Sequence, residues 1–299
     1  MLYCKVLCIF NPEHDLCLAK GRWNYVPPRS AVEFARRDAA LMQVLYPEAV
    51  CLSVYDPQLP SALSGGQAFK SVTAWGWDAV VKHELIRRGI PDTLLPSDDT
   101  LASIRSLQHR TTVLPLQPDC HAIYSIEEME ALLRQRDHWV LKAPWSGAGR
   151  GLRWVHGTLT AIDRNWMLKT IANQRCVVAE PNRRVSGDRS GASPSSAADV
   201  ALEYMDGSFF GYSYFKTGSG VYKENVMWND DAIARHFAAT DLQAVRTHVE
   251  QWLSTNVWPR YSGPLGVDLM VCADGSVHVA EMNFRHTMGM VAHAKINQP

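Results

Sequence analysis

The 299-residue sequence carries no net charge and has no long apolar run. Thirty Lys and Arg residues balance thirty Asp and Glu residues, which argues against a polyanion such as nucleic acid as the partner. The longest apolar stretches fall short of the roughly 18 residues that indicate a membrane-spanning helix. The first residues also lack the small-residue cleavage site of a signal peptide. We therefore expect a cytoplasmic protein that binds neither nucleic acid nor membrane.

Cysteine motifs are missing as well. The seven cysteines are odd in number and form no C-x-x-C pair, the spacing used by zinc knuckles and redox-active dithiols. Most of them lie among apolar neighbours, which is typical of reduced thiols in the cytoplasm. Hydrophobic residues make up 46% of the chain and charged residues 20%, a globular mixture that argues against collagen-like repeats, coiled coil and wholesale disorder.

Short apolar runs alternate with helical periodicity in the first hundred residues. Residues 6–10 and 49–54 have the composition of buried strands, and residues 30–45 and 77–88 follow a helical pattern. Such alternation is typical of an α/β layer. We therefore predict an N-terminal α/β domain over residues 1–96.

The remaining residues, 97–299, have an α+β pattern instead. Helices are predicted at 97–108, where Ser97 or Asp98 is the expected N-cap, and at 126–135 and 240–253; strands are predicted at 138–143, 152–155, 176–180, 200–205 and 209–215. Residues 186–199 are rich in Ser, Gly, Ala and Pro without an apolar period, which predicts an exposed loop.

The segment 266–283, GVDLMVCADGSVHVAEMN, predicts a β-hairpin. If the Asp-Gly dipeptide at 274–275 forms a two-residue turn, Asp268 lies directly opposite Glu281. Asn283 follows Glu281 by two residues and therefore points to the same face of the strand. Two carboxylates and an amide are thus expected to converge on one side of the hairpin.

Like charges that face each other across two strands repel unless a cation lies between them or one is protonated. Val277 and Val279 are predicted on the same face, so that this face is partly covered; a solvated face with incidental charges is the alternative. Oxygen ligands of this kind suit Mg²⁺ or Mn²⁺. We predict a divalent metal site formed by Asp268, Glu281 and Asn283.

A second segment, VLKAPWSGAGRG at 140–151, combines a strand with a glycine-rich turn. Small residues allow backbone N–H groups to approach phosphate oxygens, and basic side chains add charge. The residues concerned are Lys142, Ser146, Gly147, Gly149, Arg150 and Gly151. The segment lacks the G-K-[ST] of a P-loop, and taken alone it could be a flexible surface hairpin. A phosphate-binding turn and a metal-binding hairpin in one chain support each other, because nucleotide sites need both.

The order of these features resembles the ATP-grasp superfamily over roughly residues 101–289. The matching residues are Lys142 with SGAGRG, Glu180 after the strand CVVAE, and then Asp268, Glu281 and Asn283. In that family two α+β lobes hold ATP between them. The resemblance implies a first lobe at 97–180 and a second at 181–299. It also implies that Lys142 and the backbone of 146–151 bind the phosphates, that Glu180 begins the hinge, and that the hairpin residues bind Mg²⁺.

The resemblance assigns further basic and acidic residues. Arg285 would reach the transferring phosphoryl group or the substrate carboxylate. Where the family often has a lysine at the entry to the first lobe, this chain has Arg110, which we expect to contact phosphate. The acid that binds the ribose could be Asp199 or Glu203, because the long polar loop before them leaves the spacing undecided.

The N-terminal residues resemble the α/β domain that precedes the grasp lobes in many of these enzymes. Asn11, Glu13, His14 and Asp15 follow the first predicted strand, where open α/β sheets commonly bind ligands. We therefore expect them on the substrate side. His14 is either a proton carrier or substrate contact, or a loop histidine that only bonds its neighbours.

The resemblance implies an ATP-dependent ligase that joins a small-molecule carboxylate to an amine or thiol through an acylphosphate. Two alternatives are a kinase that uses the same fold and a nucleotide-binding module without turnover. The apparently complete set of Asp268, Glu281 and Asn283 argues against the second alternative. A homodimer is compatible with the sequence, although no feature requires one.

Overall fold

The computed structural model describes residues 6–59, 69–147, 151–184, 197–218 and 221–297. Its α-helices are α1 (His14–Lys20), α2 (Arg29–Arg37), α3 (Ala79–Arg87), α4 (Asp98–Leu107), α5 (Ile126–Leu133), α6 (Ala161–Gln174), α7 (Asp230–His236), α8 (Leu242–Asn256) and α9 (Met288–Ile296). Its strands are β1 (Val6–Ile9), β2 (Val50–Leu52), β3 (Ser71–Ala74), β4 (His121–Ile123), β5 (His138–Lys142), β6 (Leu152–His156), β7 (Val177–Pro181), β8 (Ala198–Met205), β9 (Ser208–Gly218), β10 (Val221–Val226), β11 (Leu265–Val271) and β12 (Val277–Asn283). Within these ranges no helix is both long and apolar enough to cross a membrane.

The N-terminal region has a three-stranded parallel sheet in the order β2-β1-β3. Apolar side chains cover both faces of this sheet, as expected for the predicted α/β layer. The helix predicted at 30–45 is wrong in its second half: Asp38 leaves the helical conformation, and a 3₁₀-helix follows at Ala39–Val44. Because the strands are parallel, the loops after β1 and β3 meet at one edge of the sheet.

The first grasp lobe has a four-stranded antiparallel sheet in the order β4-β7-β5-β6. Its core contains Met129, Leu141, Met167 and Val177, which α5, α6 and the sheet contribute. Lys142 is the last residue of β5 and pairs with neighbours on both β6 and β7. The strand therefore delivers this lysine at the edge of the lobe that faces the second lobe.

The second lobe has a five-stranded antiparallel sheet in the order β10-β9-β8-β11-β12. Ile104 and Leu107 of α4, together with Val113, pack into the core of this lobe. The second sheet covers the apolar side chains of these residues. The beginning of the predicted first lobe (residues 97–180) therefore packs against the second lobe. Ser97 is the N-cap of α4, because its side chain accepts a hydrogen bond from the Thr100 N–H.

The two hairpins of the second sheet have different turns. Asp206 and Gly207 form a two-residue turn between β8 and β9, with φ angles of 50° and 79°. Between β11 and β12 the turn is one residue longer than predicted, since Cys272 donates its N–H to Ser276 O at 2.8 Å and Gly275 has a φ of 81°.

A β-bulge restores the register that the longer turn shifts. Leu269 pairs with Val279, and the next ladder pair is Asp268 with Glu281, which leaves Ala280 as the extra residue. The predicted pairing of Asp268 with Glu281 is therefore confirmed, although the predicted turn is wrong.

The bulge also changes which side chains share a face of β12. The core face of the sheet carries Leu265, Val267, Leu269 and Val271 of β11 and Val277, Val279 and Met282 of β12. Asp268 and Glu281 lie on the opposite face. The prediction that Val277 and Val279 share the face of the carboxylates is therefore wrong, because Ala280 reverses the alternation between them and Glu281.

Some sequence predictions fall outside the described residues. Gly149 and Arg150 of the glycine-rich turn, and residues 186–196 of the predicted loop, lie in these gaps. The predicted loop is wrong at its end, because Ala198 and Asp199 are the first residues of β8, paired with β11.

Candidate active site

The predicted metal ligands lie on the face of the second sheet that points away from its core. Asp268 is opposite Glu281 and Gly266 is opposite Asn283, while Asn283 Nδ2 donates to Asp268 Oδ2 at 3.1 Å. Burial, and then the nearby Glu281 carboxylate, raise the pKa of Asp268 to about 8. A cation between the two carboxyl groups would offset both the burial and their mutual repulsion, so the arrangement suits a divalent cation.

The donor set consists of two carboxylates and one amide. In the part of the chain that the structure describes, no group of three or more His, Cys, Asp or Glu side chains is placed to hold a metal ion. A cation at Asp268, Glu281 and Asn283 would therefore need water or substrate oxygens to complete its coordination. Mg²⁺ commonly binds in this way, with one or two carboxylates and substrate phosphates.

Arg110 joins the glycine-rich segment to the candidate metal site. The side chain is buried, and its guanidinium donates to Ala143 O and, at 2.6 Å, to Ser146 Oγ. Its Nη2 donates to Ser146 O at 3.0 Å and to Glu281 Oε1 at 2.6 Å. A planar guanidinium can bridge all of these acceptors at once, whereas a lysine could not. Arg110, predicted to contact phosphate, is thus placed between both parts of the site.

Lys142 and Glu180 form an ion pair between neighbouring strands of the first lobe. The Nζ and Oε1 atoms are 2.7 Å apart, and both side chains are largely buried. Lys142 Nζ also lies 3.5 Å from Ala280 O, on the bulge of the second lobe. The predicted phosphate lysine and the predicted hinge acid therefore meet where the two lobes face each other.

Arg285 connects the second lobe to the N-terminal domain. Its Nη2 atom lies 3.1 Å from Asp15 Oδ2 and 3.1 Å from Asn283 Oδ1. Burial alone would raise the pKa of Asp15, but the neighbouring basic groups, Arg285 first among them, together outweigh burial and lower it. Gly147 passes so close that a Cβ atom at this position would collide with the Asp15 carboxylate. Asp15 therefore touches both the glycine-rich segment and the second lobe.

The other three predicted substrate residues lie deeper in the N-terminal domain. Asn11 Nδ2 donates to Gly76 O at 2.7 Å and to Asp78 Oδ2 at 3.2 Å. His14 is completely buried, with Nδ1 3.0 Å from Asp78 Oδ2. Burial also raises the pKa of Glu13 to about 8. Asp15 is thus the member of this group that reaches the face of the grasp lobes.

The two acids considered for ribose binding differ in their surroundings. Glu203 is buried, and its oxygens accept hydrogen bonds from Ser213 Oγ and Thr287 Oγ1, both at 2.8 Å. Asp199 is paired with Arg184 and lines a cavity of about 490 Å³. The structure therefore places Glu203 inside the second lobe and Asp199 beside an open space.

Glu203 gives a prediction about pH. Burial raises its pKa from 4.5 to about 7, so that between these values the unfolded chain loses the proton first. Stability should then fall as the pH rises through this window. Relative to Glu203→Gln, the unchanged protein should lose about 3 kcal/mol of unfolding free energy between about pH 5 and pH 8, measured by denaturant titration. Glu224→Gln, an exposed control, should leave the pH profile unchanged; parallel profiles for Glu203→Gln would refute the assignment.

Asp199 was a candidate from the sequence, but sequence reasoning missed two side chains beside it on the same face, Met270 and His278. Met270 follows Asp268 by two residues, and its ladder partners are Asp199 on β8 and His278 on β12. Because side chains alternate along a strand, the position of Met270 on the same face as Asp268 could have been predicted from the sequence. His278 could not be placed, because its register depends on the bulge.

His286 was also missed. Its Nε2 atom lies 2.8 Å from the Tyr46 hydroxyl and its Nδ1 atom 3.0 Å from Ala74 O, so that it fixes the second lobe to the N-terminal sheet. Complete burial lowers its pKa to about 4, and the imidazole is therefore neutral at neutral pH.

Comparison with solved structures identifies the fold. N5-carboxyaminoimidazole synthetase from Staphylococcus aureus, complexed with ADP, is 14% identical, and the match covers 96% of this chain and 72% of that chain at a TM-score of 0.53. D-cycloserine synthetase DcsG is 13% identical over 97% of this chain and 98% of that chain, at a TM-score of 0.54. D-alanyl-alanine synthetase A from Vibrio cholerae O1 is 12% identical over 98% of this chain and 92% of that chain, at a TM-score of 0.52.

These structures are ATP-grasp ligases, and the chain has the ATP-grasp fold. The predicted resemblance is thereby confirmed at the level of the fold. Scans against protein-family models and curated protein sequences gave no match.

Proposed function

We propose that the protein is an ATP-dependent ligase that joins a small-molecule carboxylate to an amine or thiol. The supporting observation is that three basic side chains each form an ion pair with an acidic side chain in the same cleft. Arg110 Nη2 is 2.6 Å from Glu281, Lys142 Nζ is 2.7 Å from Glu180, and Arg285 Nη2 is 3.1 Å from Asp15. The cleft thus combines cations for phosphate groups with carboxylates for a metal ion, the two parts that phosphoryl transfer needs.

The proposal gives each of these side chains a task. Lys142 and Arg110 bind the phosphates and offset the charge that develops during transfer. Arg285 orients the substrate carboxylate, which attacks the γ-phosphate and becomes an acylphosphate. Asp268, Glu281 and Asn283 would hold Mg²⁺ or Mn²⁺, which supplies neutralisation of phosphate charge when bound. Catalysis then depends on positioning and electrostatics, and no protein nucleophile is needed.

We place the nucleoside over the row formed by Asp199, Met270 and His278. Met270 offers an apolar contact for the base, and Asp199 offers a carboxylate for the ribose hydroxyls. The proposal prefers Asp199 to Glu203, because Asp199 lines a cavity, whereas Glu203 is enclosed inside the second lobe between Ser213 and Thr287. The solved relative from Staphylococcus aureus with ADP is consistent with nucleotide binding in this fold.

A phosphate-release screen tests the proposal. The purified protein is incubated with ATP and Mg²⁺ over pairs of amino acids, small peptides and simple amines, and products are identified by mass spectrometry. A ligase should release free phosphate and form an amide only when both acid and amine are present. A phosphorylated acceptor without free phosphate would favour a kinase, and no turnover with any pair would favour a binding module.

A further inference from the structure

Side chains hold the outer edge of β12 where another strand would otherwise pair. β12 is the last strand of the second sheet, so that one row of its backbone N–H and C=O groups faces no further strand in the described part of the chain. Gln108 is buried beside this row: its Nε2 atom donates to Met282 O at 3.2 Å, and its Oε1 atom accepts the Phe284 N–H at 2.8 Å. These two backbone groups flank Asn283. One side-chain amide thus makes the pair of hydrogen bonds that a neighbouring strand would make.

Gln117 contacts the same strand on the other side of the bulge. Its side chain is also buried, and its Nε2 atom donates to Val279 O. The extra residue of the bulge presents Ala280 O, which lies 3.5 Å from Lys142 Nζ. Backbone carbonyls before, at and after the bulge therefore each have a side-chain donor.

The two glutamines flank a single short element, the 3₁₀-helix Arg110–Leu116. Val113 of this element packs into the core of the second lobe, and Arg110 donates to the Glu281 carboxylate at 2.6 Å. Because the element is anchored in the core, the distance between the two glutamines is fixed. The same segment thus holds the backbone of β12 and one of the predicted metal ligands.

The strand needs this support because its ligands repel each other. Glu281 lies directly opposite Asp268, and like charges in this arrangement destabilise a pair of strands. Moving the extra residue from Ala280 to a position beyond Glu281 would place Glu281 opposite Val267, on the core face and away from Asp268. Hydrogen bonds on both sides of Ala280 oppose this shift.

We propose that Gln108 and Gln117 are positioning residues of the metal site, which hold β12 on both sides of its bulge so that Glu281 and Asn283 meet the cation together with Asp268. The proposal rests on the function proposed above, through the metal site that it includes. Both glutamines act through the backbone of β12 and not by contact with the cation. Loss of such outer support typically weakens metal binding about 10- to 100-fold.

Gln108→Met and Gln117→Met test the proposal, because methionine keeps the length of the side chain and removes its hydrogen bonds to β12. Calorimetry measures the affinity for ADP over a series of Mg²⁺ concentrations, and electron paramagnetic resonance measures Mn²⁺ bound in the ADP complex. We expect the Mg²⁺ concentration that gives half of the increase in ADP affinity to rise about 10- to 100-fold. The affinity for ADP without Mg²⁺ should stay the same.

Val249→Ala is the matched control for stability. Val249 is completely buried in α8, and its truncation weakens the core of the same lobe without removing a hydrogen bond from β12. This variant should unfold at a lower denaturant concentration and keep the Mg²⁺ requirement of the unchanged protein. An equal rise of the Mg²⁺ requirement in Val249→Ala would overturn the positioning role, because general destabilisation would then explain the effect.

Hydrogen exchange of the Phe284 amide separates the remaining outcomes. This amide should exchange faster in Gln108→Met, since it loses its acceptor. Unchanged exchange, or faster exchange with an unchanged Mg²⁺ requirement, would overturn the positioning role while leaving the proposed function intact. If the affinity of the unchanged protein for ADP does not respond to Mg²⁺, the metal site of the proposed function fails and this proposal fails with it.

Discussion

Asp268→Asn and Glu281→Gln are each expected to lower turnover on the order of 10³-fold without unfolding the protein. Both carboxylates face the cleft from adjacent positions of β11 and β12, and Asn283 donates to Asp268 at 3.1 Å. The amide replacements keep the shape of each side chain and remove one negative charge. Turnover is measured as phosphate release, and binding as the effect of Mg²⁺ on the affinity for ADP by calorimetry.

Unfolding measurements should distinguish loss of the metal site from simple destabilisation of the protein. Because burial and Glu281 raise the pKa of Asp268 to about 8, ionising it costs folding free energy. Asp268→Asn should therefore be at least as stable as the unchanged protein at neutral pH. Asp274→Asn, in the exposed turn of the same hairpin, is the control and should keep full turnover. Retained turnover, or retained Mg²⁺ dependence of ADP binding, in Asp268→Asn would refute the metal assignment.

Arg110→Ala is expected to weaken ADP binding about 100-fold and to lower the unfolding free energy by about 3 kcal/mol. The side chain is 6% exposed, and its guanidinium joins Ala143 O, Ser146 and Glu281. Its removal leaves the Glu281 carboxylate without its ion-pair partner and frees the segment that leads into the glycine-rich turn. Nucleotide affinity is measured by calorimetry and stability by denaturant titration.

Two further variants test the reason for that effect. Arg110→Lys restores the charge but cannot bridge the same acceptors, so that it should recover only part of the affinity. Glu281→Gln combined with Arg110→Ala should cost less stability than the sum of the single changes, because neither partner is left unpaired. Arg87→Ala, in an exposed pair with Glu84, should change stability by less than about 1 kcal/mol. Additive losses would contradict the importance of the Arg110–Glu281 pair.

The sequence was informative where chemistry and local geometry coincide. Asp268, Glu281 and Asn283 could be placed on one face from the period of two and an Asp-Gly turn. That result nevertheless depended on two errors that cancel, because the turn is longer by one residue and the bulge at Ala280 compensates for it. A bulge has no sequence signature in this hairpin, so neither error could be recognised beforehand.

Long-range pairing could not be predicted from the sequence. Arg285 and Asp15 were both candidates, yet nothing in the chain indicated that residues 270 positions apart form an ion pair. The same holds for Arg110 with Glu281. These contacts join segments that are far apart in the sequence, and periodicity within one element does not report on such packing. Sequence patterns identified the charged groups, and the fold determined their partners.

The N-terminal domain contributes directly to the candidate site. Asp15 fixes the direction of Arg285, and His286 ties the second lobe to Tyr46 and to the backbone after β3. The ATP-grasp lobes therefore share their cleft with side chains of the domain that precedes them. Under the proposed function, this is where the two substrates meet.

Oxygen transfer from the substrate acid tests the proposed ligase reaction most directly. The acid found in the screen is labelled with ¹⁸O in its carboxylate and incubated with protein, ATP, Mg²⁺ and the amine. An acylphosphate passes one carboxylate oxygen to the phosphate when the C–N bond forms. The account predicts inorganic phosphate that carries one ¹⁸O atom for each amide formed. Phosphate with unlabelled oxygen alone, formed together with the amide, would contradict it.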